Sequence, residues 1–173
     1  ILAKANQTSG NLVFNDYKPV GEETDDEYPL SFCTVREVGH YSVRTMTGNC
    51  RMLRQLEDEP GWIAMNPADC EALGVKQGDL VRVKSRRGSL ITRCLPTERA
   101  AKGATYMTSQ WWVGACNELT NPRLDPKSRT PEYKYCACRV EKLDDQEWAE
   151  NYIATRYAEI RAKMGIEKAG AAQ

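Results

Sequence analysis

Alternation of apolar and polar positions dominates the middle of the chain. The run YPLSFCTVRE, Tyr28 to Glu37, reads as an extended strand. It places Leu30, Phe32, Thr34 and Arg36 on one side and Ser31, Cys33, Val35 and Glu37 on the other. Pro29 suits its start. Gly61 to Met65 is a short buried strand. Leu80 to Ser85 alternates, with Val81 and Val83 inward and Arg82 and Lys84 outward. Arg87-Gly88 turns the chain, and Ser89 to Leu95 returns as the second arm of a hairpin. Gly103 to Trp112 is a further strand ending in two adjacent tryptophans. Tyr135 to Leu143 is the last, with Cys136, Cys138 and Val140 on one side.

The helical period is rarer. Met46 to Leu56 reads as a helix carrying Leu53 and Leu56 on one face, stopped by Pro60-Gly61. A second, short helix has Asn66 as N-cap, Pro67 as first residue and Gly74 past its end. A terminal helix spans Asp144 to about Met164. Its stripe of Trp148, Tyr152, Ile153, Tyr157, Ile160 and Met164 reads as a packing face. Six or seven short strands with close turns favour a closed barrel, which leaves no strand edge exposed. Residues 1–27 read as a lead-in: Asn11 to Tyr17 suits a short strand or arm, and GEETDDE a solvated acidic linker. The division is then 1–27 lead-in, 28–143 barrel, and 144–173 helix and tail.

Composition narrows the function classes. The 173 residues hold 24 basic and 24 acidic side chains, which speaks against a dedicated nucleic-acid or polybasic membrane binder. Apolar runs fall far short of a membrane span, and no signal peptide is visible. The first residue is Ile1, so a piece of a longer polypeptide is expected. Seven cysteines without a CxxC pair read as reduced, partly buried thiols of a cytoplasmic protein. His40 is the sole histidine, which excludes a His-rich metal site; a Cys–His nucleophile pair stays open without a motif to support it.

The chemistry concentrates in HYSVRTMTGNC, His40 to Cys50, between the first strand and the first helix. It carries one histidine, the hydroxyls of Ser42, Thr45 and Thr47, the cation Arg44, and Gly48. Hydroxyls and main-chain N–H groups donate hydrogen bonds, and a following helix N-terminus favours negative charge. The junction is therefore suited to a phosphate or a polar ring, or it is an ordinary polar loop.

YSVRTMTGNC, WWVGACNELT and TPEYKYCACRVE, in that order, resemble the C-terminal domain of molybdopterin-dependent formate dehydrogenases. Asn66-Pro67-x-Asp69 to Gly74, followed by QGDLVRVKSRRGSLITR, resembles that domain across the wider molybdopterin oxidoreductase superfamily. The resemblance runs from about Tyr28 to the tail helix. It implies a mainly β fold, a six-stranded double-psi β-barrel with short helices and a C-terminal helix. It implies a bis-molybdopterin guanine dinucleotide cofactor carrying Mo or W, bound here while the metal ligand, catalytic residues and iron–sulfur cluster lie in earlier domains. The whole enzyme resembled oxidises formate to carbon dioxide; this piece alone is expected to be inactive, with no catalytic or metal-ligating residue of its own.

Residue by residue, the resemblance places Arg36, Glu37, His40 and Ser42, with Thr45 and Thr47, in a first cofactor loop. There Glu37 would accept from N–H groups of a ring edge and Arg36 would meet phosphate or a ring carbonyl. Ser109 and Gln110 match a second contact, where the family form commonly has Tyr in place of Ser109. Asn117 matches the asparagine of the ACNELT segment, and Tyr133 and Lys134 a pair closing over a pterin. Trp111 and Trp112 read as core and domain-interface anchors. Partners implied are the preceding domains of the same subunit and electron-transfer subunits, with no nucleic acid and no membrane insertion. Two other readings stand beside this one. The first is the same domain of another molybdopterin oxidoreductase, such as a nitrate reductase. The second is a stand-alone barrel binding nucleic acid through Arg82, Arg86, Arg87 and Arg93.

Overall fold

The computed structural model describes residues 14, 16–56 and 59–165. Six strands close into a barrel: β1 (Leu30–Val35), β2 (Trp62–Met65), β3 (Leu80–Ser85), β4 (Gly88–Pro96), β5 (Ala104–Thr108) and β6 (Cys136–Lys142). Their order around it is β1-β5-β2-β4-β3-β6. Two neighbouring pairs run parallel, β1 with β5 and β2 with β4; the other four are antiparallel. This is the closed six-stranded, mainly β architecture expected from the sequence. Most of the Asn11 to Tyr17 arm lies outside the described residues.

The alternation works as the period demands. Phe32, Ile63, Met65, Val81, Val83, Met107 and Val140 fill the interior, together with Cys136 and Cys138. Arg82 and Lys84 turn outward, and Lys84 pairs with Glu141 across the β3–β6 ladder. Burial pushes the thiols of Cys94, Cys116 and Cys138 up to about 12, and that of Cys136 to about 11. Cys70 and Cys94 are packed thiols with sulfurs 3.6 Å apart. These five groups are neutral fillers, not nucleophiles.

Three helices decorate the barrel: α1 (Arg51–Arg54), α2 (Pro67–Leu73) and α3 (Gln146–Lys163). In α2 the Asn66 side chain accepts from the Ala68 N–H, and Gly74 adopts φ 64° at the C-cap, as the sequence predicts. Helix α3 departs from expectation. Only Ala149 and Ile153 are buried, against Leu80 and Ile91, and Gln146 clamps the main chain of Leu80 from both sides. Trp148, Tyr152 and Met164 stay exposed, and Trp148 stacks on Tyr152 on the outer face. The apolar residues packed with α3 there are Leu80, Ile91, Val113 and Leu143, and Tyr157 rests against Trp112.

The acidic run is not free chain. Glu22 pairs with Arg86 and Arg87 and accepts the Ala137 N–H of β6 at 2.8 Å; Asp25 pairs with Arg86. Arg87 also donates to the Leu119 carbonyl. Two cations at the hairpin turn draw the anions in, which composition alone does not reveal. Burial raises the Glu22 carboxyl pKa. The hydrogen bonds from Arg87 and Ala137, with both guanidinium charges, outweigh that, and the net shift is downward. A lowered carboxylate pKa stabilises the fold above the ordinary glutamate range, and that contribution is lost as pH falls through the folded value. Glu22→Gln is expected to cost about 1–2 kcal/mol at neutral pH. Its penalty should shrink toward acid, which urea midpoints measured across pH will check.

Candidate functional site

Parallel pairing of β1 and β5 sends both chain exits to one rim. The Ser109 N–H and hydroxyl both donate to the Val35 carbonyl, at 3.0 and 3.2 Å. Because β6 runs antiparallel to β1, its entry lies at the same rim. The Thr34 hydroxyl donates to the Tyr133 carbonyl at 3.0 Å, and Lys134 Nζ donates to the Thr34 carbonyl. The 3₁₀ turn Cys116–Leu119, which carries Asn117, follows β5. Its Cys116 lies within electrostatic reach of both Lys134 and Cys33. The fold thus gathers Arg36, Glu37, Ser109, Gln110, Asn117, Tyr133 and Lys134 around one mouth, although they span about a hundred positions of chain.

The loop His40–Thr47 is fixed over that mouth by polar contacts. The Gln110 amide accepts the Glu37 N–H at 2.8 Å and donates to the carbonyls of Glu37 (3.0 Å) and His40 (2.9 Å). Gln110 is 1% exposed. Its two N–H bonds are both committed to loop carbonyls, so it works as a strut beneath the loop, where the sequence reading had a direct contact. Thr47 is another internal support: its hydroxyl accepts the Tyr41 N–H and lies 3.1 Å from His40 Nδ1. Ser42 and Arg44 both adopt positive φ, 49° and 65°, so the loop is tightly wound. Thr45, by contrast, is exposed.

The helix expected after this loop is much shorter than its pattern. Thr47–Asn49 forms a 3₁₀ turn, Cys50 is extended, and α1 is a single turn. The Gly48 N–H is taken by the Arg44 carbonyl at 2.8 Å. A helix dipole aimed at an anion is therefore absent from this junction. Of the expected face, Leu56 is exposed and Leu53 only half-buried, so little apolar burial is available to extend the helix.

Two groups escaped the sequence reading. Arg44 was visible only as a loop cation; it is 4% exposed and reaches Glu59 at 2.6 Å. Glu59 carries no sequence signal at all, since its partners are Arg44 and the N–H groups of Trp112 and Val113. Two glycines permit that proximity. A Cβ on Gly61 (φ 77°) would fall inside the Trp111 ring, and one on Gly114 would overlap the Pro60 carbonyl. Trp111 is buried and Trp112 rests against Tyr157 of α3, in keeping with their reading as core anchors.

What remains open at the rim suits an anionic, ring-bearing ligand. His40 is 5% exposed, and its Nε2 is buried without a partner among the described residues, a polar atom that calls for a ligand or water. Beside the β1 exit lie two adjoining hollows of about 520 and 640 Å³ that share Arg36, Trp62 and Arg99. Neither arginine is in an ion pair with a described residue. Exposed Asn117, Tyr133 and Lys134 add amide, phenol and ammonium donors. Guanidinium and ammonium donors meet phosphate, and amide edges meet a heteroaromatic ring. Among the described residues no cluster of three metal-ligating side chains occurs, and no helix is long and apolar enough to cross a membrane.

The closed β-barrel and the polar and cationic side chains at its rim suit a ligand-binding domain. The family profile described as Molydopterin dinucleotide binding domain matches residues 30–137, and the chain belongs to that family. It is 51% identical over 143 residues to formate dehydrogenase H of Escherichia coli (strain K12), covering 83% of this chain and 20% of that protein. It is 41% identical over 128 residues to the F420-dependent formate dehydrogenase 2 subunit alpha of Methanococcus maripaludis, covering 74% of this chain and 19% of that protein. The chain thus spans about a fifth of the length of these curated relatives. Among solved structures, acetylene hydratase from Pelobacter acetylenicus shares the fold, with TM-score 0.57 at 18% identity over 68% of this chain and 19% of that one.

Gln110→Ala is expected to take from the loop the partner of the Glu37 N–H and of the His40 carbonyl, and one of the two donors to the Glu37 carbonyl. A loss of about 2–3 kcal/mol should follow. Amide exchange should rise at residues 37–47 before it rises in β3 and β4.

Proposed function

We propose that the chain is the domain of a formate dehydrogenase catalytic subunit that binds bis-molybdopterin guanine dinucleotide, carrying Mo or W. The gathering of Arg36, Ser109, Asn117 and Lys134 at one rim carries this reading, with the unpartnered His40 Nε2 beside it. Residues 28–143 form the binding unit, 1–27 the lead-in and 144–173 the terminal helix and tail.

When bound, the cofactor supplies two-electron redox chemistry for the oxidation of formate to carbon dioxide. The residues of this chain hold and orient it. Arg36 and Lys134 meet its negative charge, with Lys134 anchored on the Thr34 carbonyl. Glu37, Asn117 and Tyr133 address ring edges, and the hydroxyls of Ser42 and Thr45 offer further donors, while those of Thr47 and Ser109 brace the rim. His40 presents Nε2, and Gln110 holds the loop from below. The metal ligand, the acid–base residues and the iron–sulfur cluster belong to other domains of a cytoplasmic subunit, which passes electrons to partner subunits. Identities of 51% and 41% to two formate dehydrogenases favour this over a nitrate reductase. The nucleic-acid reading loses three of its four donors, because Arg86, Arg87 and Arg93 are paired with Glu22, Asp25 and Glu150.

Asn117→Ala and Lys134→Ala in the full catalytic polypeptide are expected to lower cofactor retention. Molybdenum, tungsten and guanine contents of purified protein are the readout, and wild-type contents in both variants would refute the assignment. The 173-residue chain alone is expected to show no formate-dependent dye reduction; turnover by it would overturn the division of labour.

A further inference from the structure

We propose that Arg44 and Glu59 are positioning residues for the dinucleotide, fixing the shape of the His40–Thr47 loop without touching the ligand. The inference rests on the cofactor reading above and adds two residues to it.

The pair is buried on both sides, with side-chain exposures of 3% and 7%. Arg44 engages its guanidinium through Nε, Nη2 and its face. Nη2 meets Glu59 at 2.6 Å, Nε donates to the Gln110 carbonyl at 2.8 Å, and the plane lies 4.5 Å from the Trp111 ring centre and 5.3 Å from that of Trp112. Glu59 accepts the Trp112 and Val113 N–H groups at 3.0 Å. Burial raises its carboxyl pKa, against the pull of those N–H groups and of Arg44.

A buried ion pair is poor at stabilising a fold, since apolar residues of similar volume often serve as well. What this pair supplies is direction. Its arginine sits at φ 65°, where a residue with a Cβ is disfavoured, so the side-chain contacts hold the backbone in that turn. Two residues away on one side is Ser42, and four away is His40 with its unpartnered Nε2. On the other side the same guanidinium grips the main chain one residue past Ser109. The loop and the β5 exit, two separate parts of the rim, are thereby set against each other by one side chain.

The test uses the full catalytic polypeptide. Arg44→Lys keeps the charge and loses the Nε bond and the flat stacking surface. The double variant Arg44→Met with Glu59→Gln removes both charges and keeps an acceptor for the Trp112 and Val113 N–H groups. Thermal midpoint, amide exchange at residues 37–47 and the rate of cofactor release are measured, with Asn117→Ala and Lys134→Ala alongside. Arg44→Lys is expected to stay folded, to lose protection in the loop, and to release cofactor about tenfold faster. The double variant should recover thermal midpoint without recovering retention. Retention that recovers together with the midpoint, or wild-type release from Arg44→Lys despite a loosened loop, overturns the positioning role. If only the Asn117 and Lys134 variants release cofactor faster, this inference fails and the cofactor reading stands. If none does, both fail.

Discussion

The parallel pairing of β1 with β5 is the constraint on which the rest depends. Strands that run parallel deliver their C-terminal ends to the same edge, and these two are more than seventy residues apart in the chain. Closure of the barrel then fixes the direction of β6, whose entry brings Tyr133 and Lys134 to that edge. Barrel closure is also what leaves the rim rigid: every strand has two paired neighbours, so no edge frays beside the ligand site.

Above this rim lies a loop too polar to be held by apolar burial. Its apolar members, Tyr41, Val43 and Met46, face outward. The loop is instead tied by hydrogen-bonding side chains that come up from the barrel or cross within it: Gln110, Arg44 and Thr47. Each bonds main-chain groups, and Ser42 and Thr45 take no part in that bracing. Such an arrangement suits a site whose ligand is large, charged and made elsewhere, because shape is set before the ligand arrives.

The cysteines illustrate the same division between frame and site. Five are buried, with thiols kept protonated by desolvation, and they behave as small apolar residues within or against the barrel. Lys134 pulls the Cys116 thiol the other way, yet burial prevails. Redox chemistry therefore has no place among these five buried thiols, which accords with a domain that holds a cofactor and leaves the reaction to it.

The sequence by itself determined the barrel: period-two alternation separated the two sides of β1 and named the inward residues of β3, and Asn66, Pro67 and Gly74 bounded α2, because these signals act within a few residues. The resemblance also singled out Asn117, Tyr133 and Lys134 from separate stretches of chain. What it misjudged depended on distant partners. The first helix shrinks to one turn because its apolar face is only partly covered, and the acidic lead-in docks because two arginines at a hairpin turn wait for it. Half of the α3 stripe, Trp148, Tyr152 and Met164, stays exposed because the apolar wall that α3 meets is covered by Ala149 and Ile153. The tertiary structure alone decided that Gln110 lies beneath the loop and that Glu59 faces Arg44. Buried polar pairs take their meaning from three-dimensional proximity, and no local pattern encodes that.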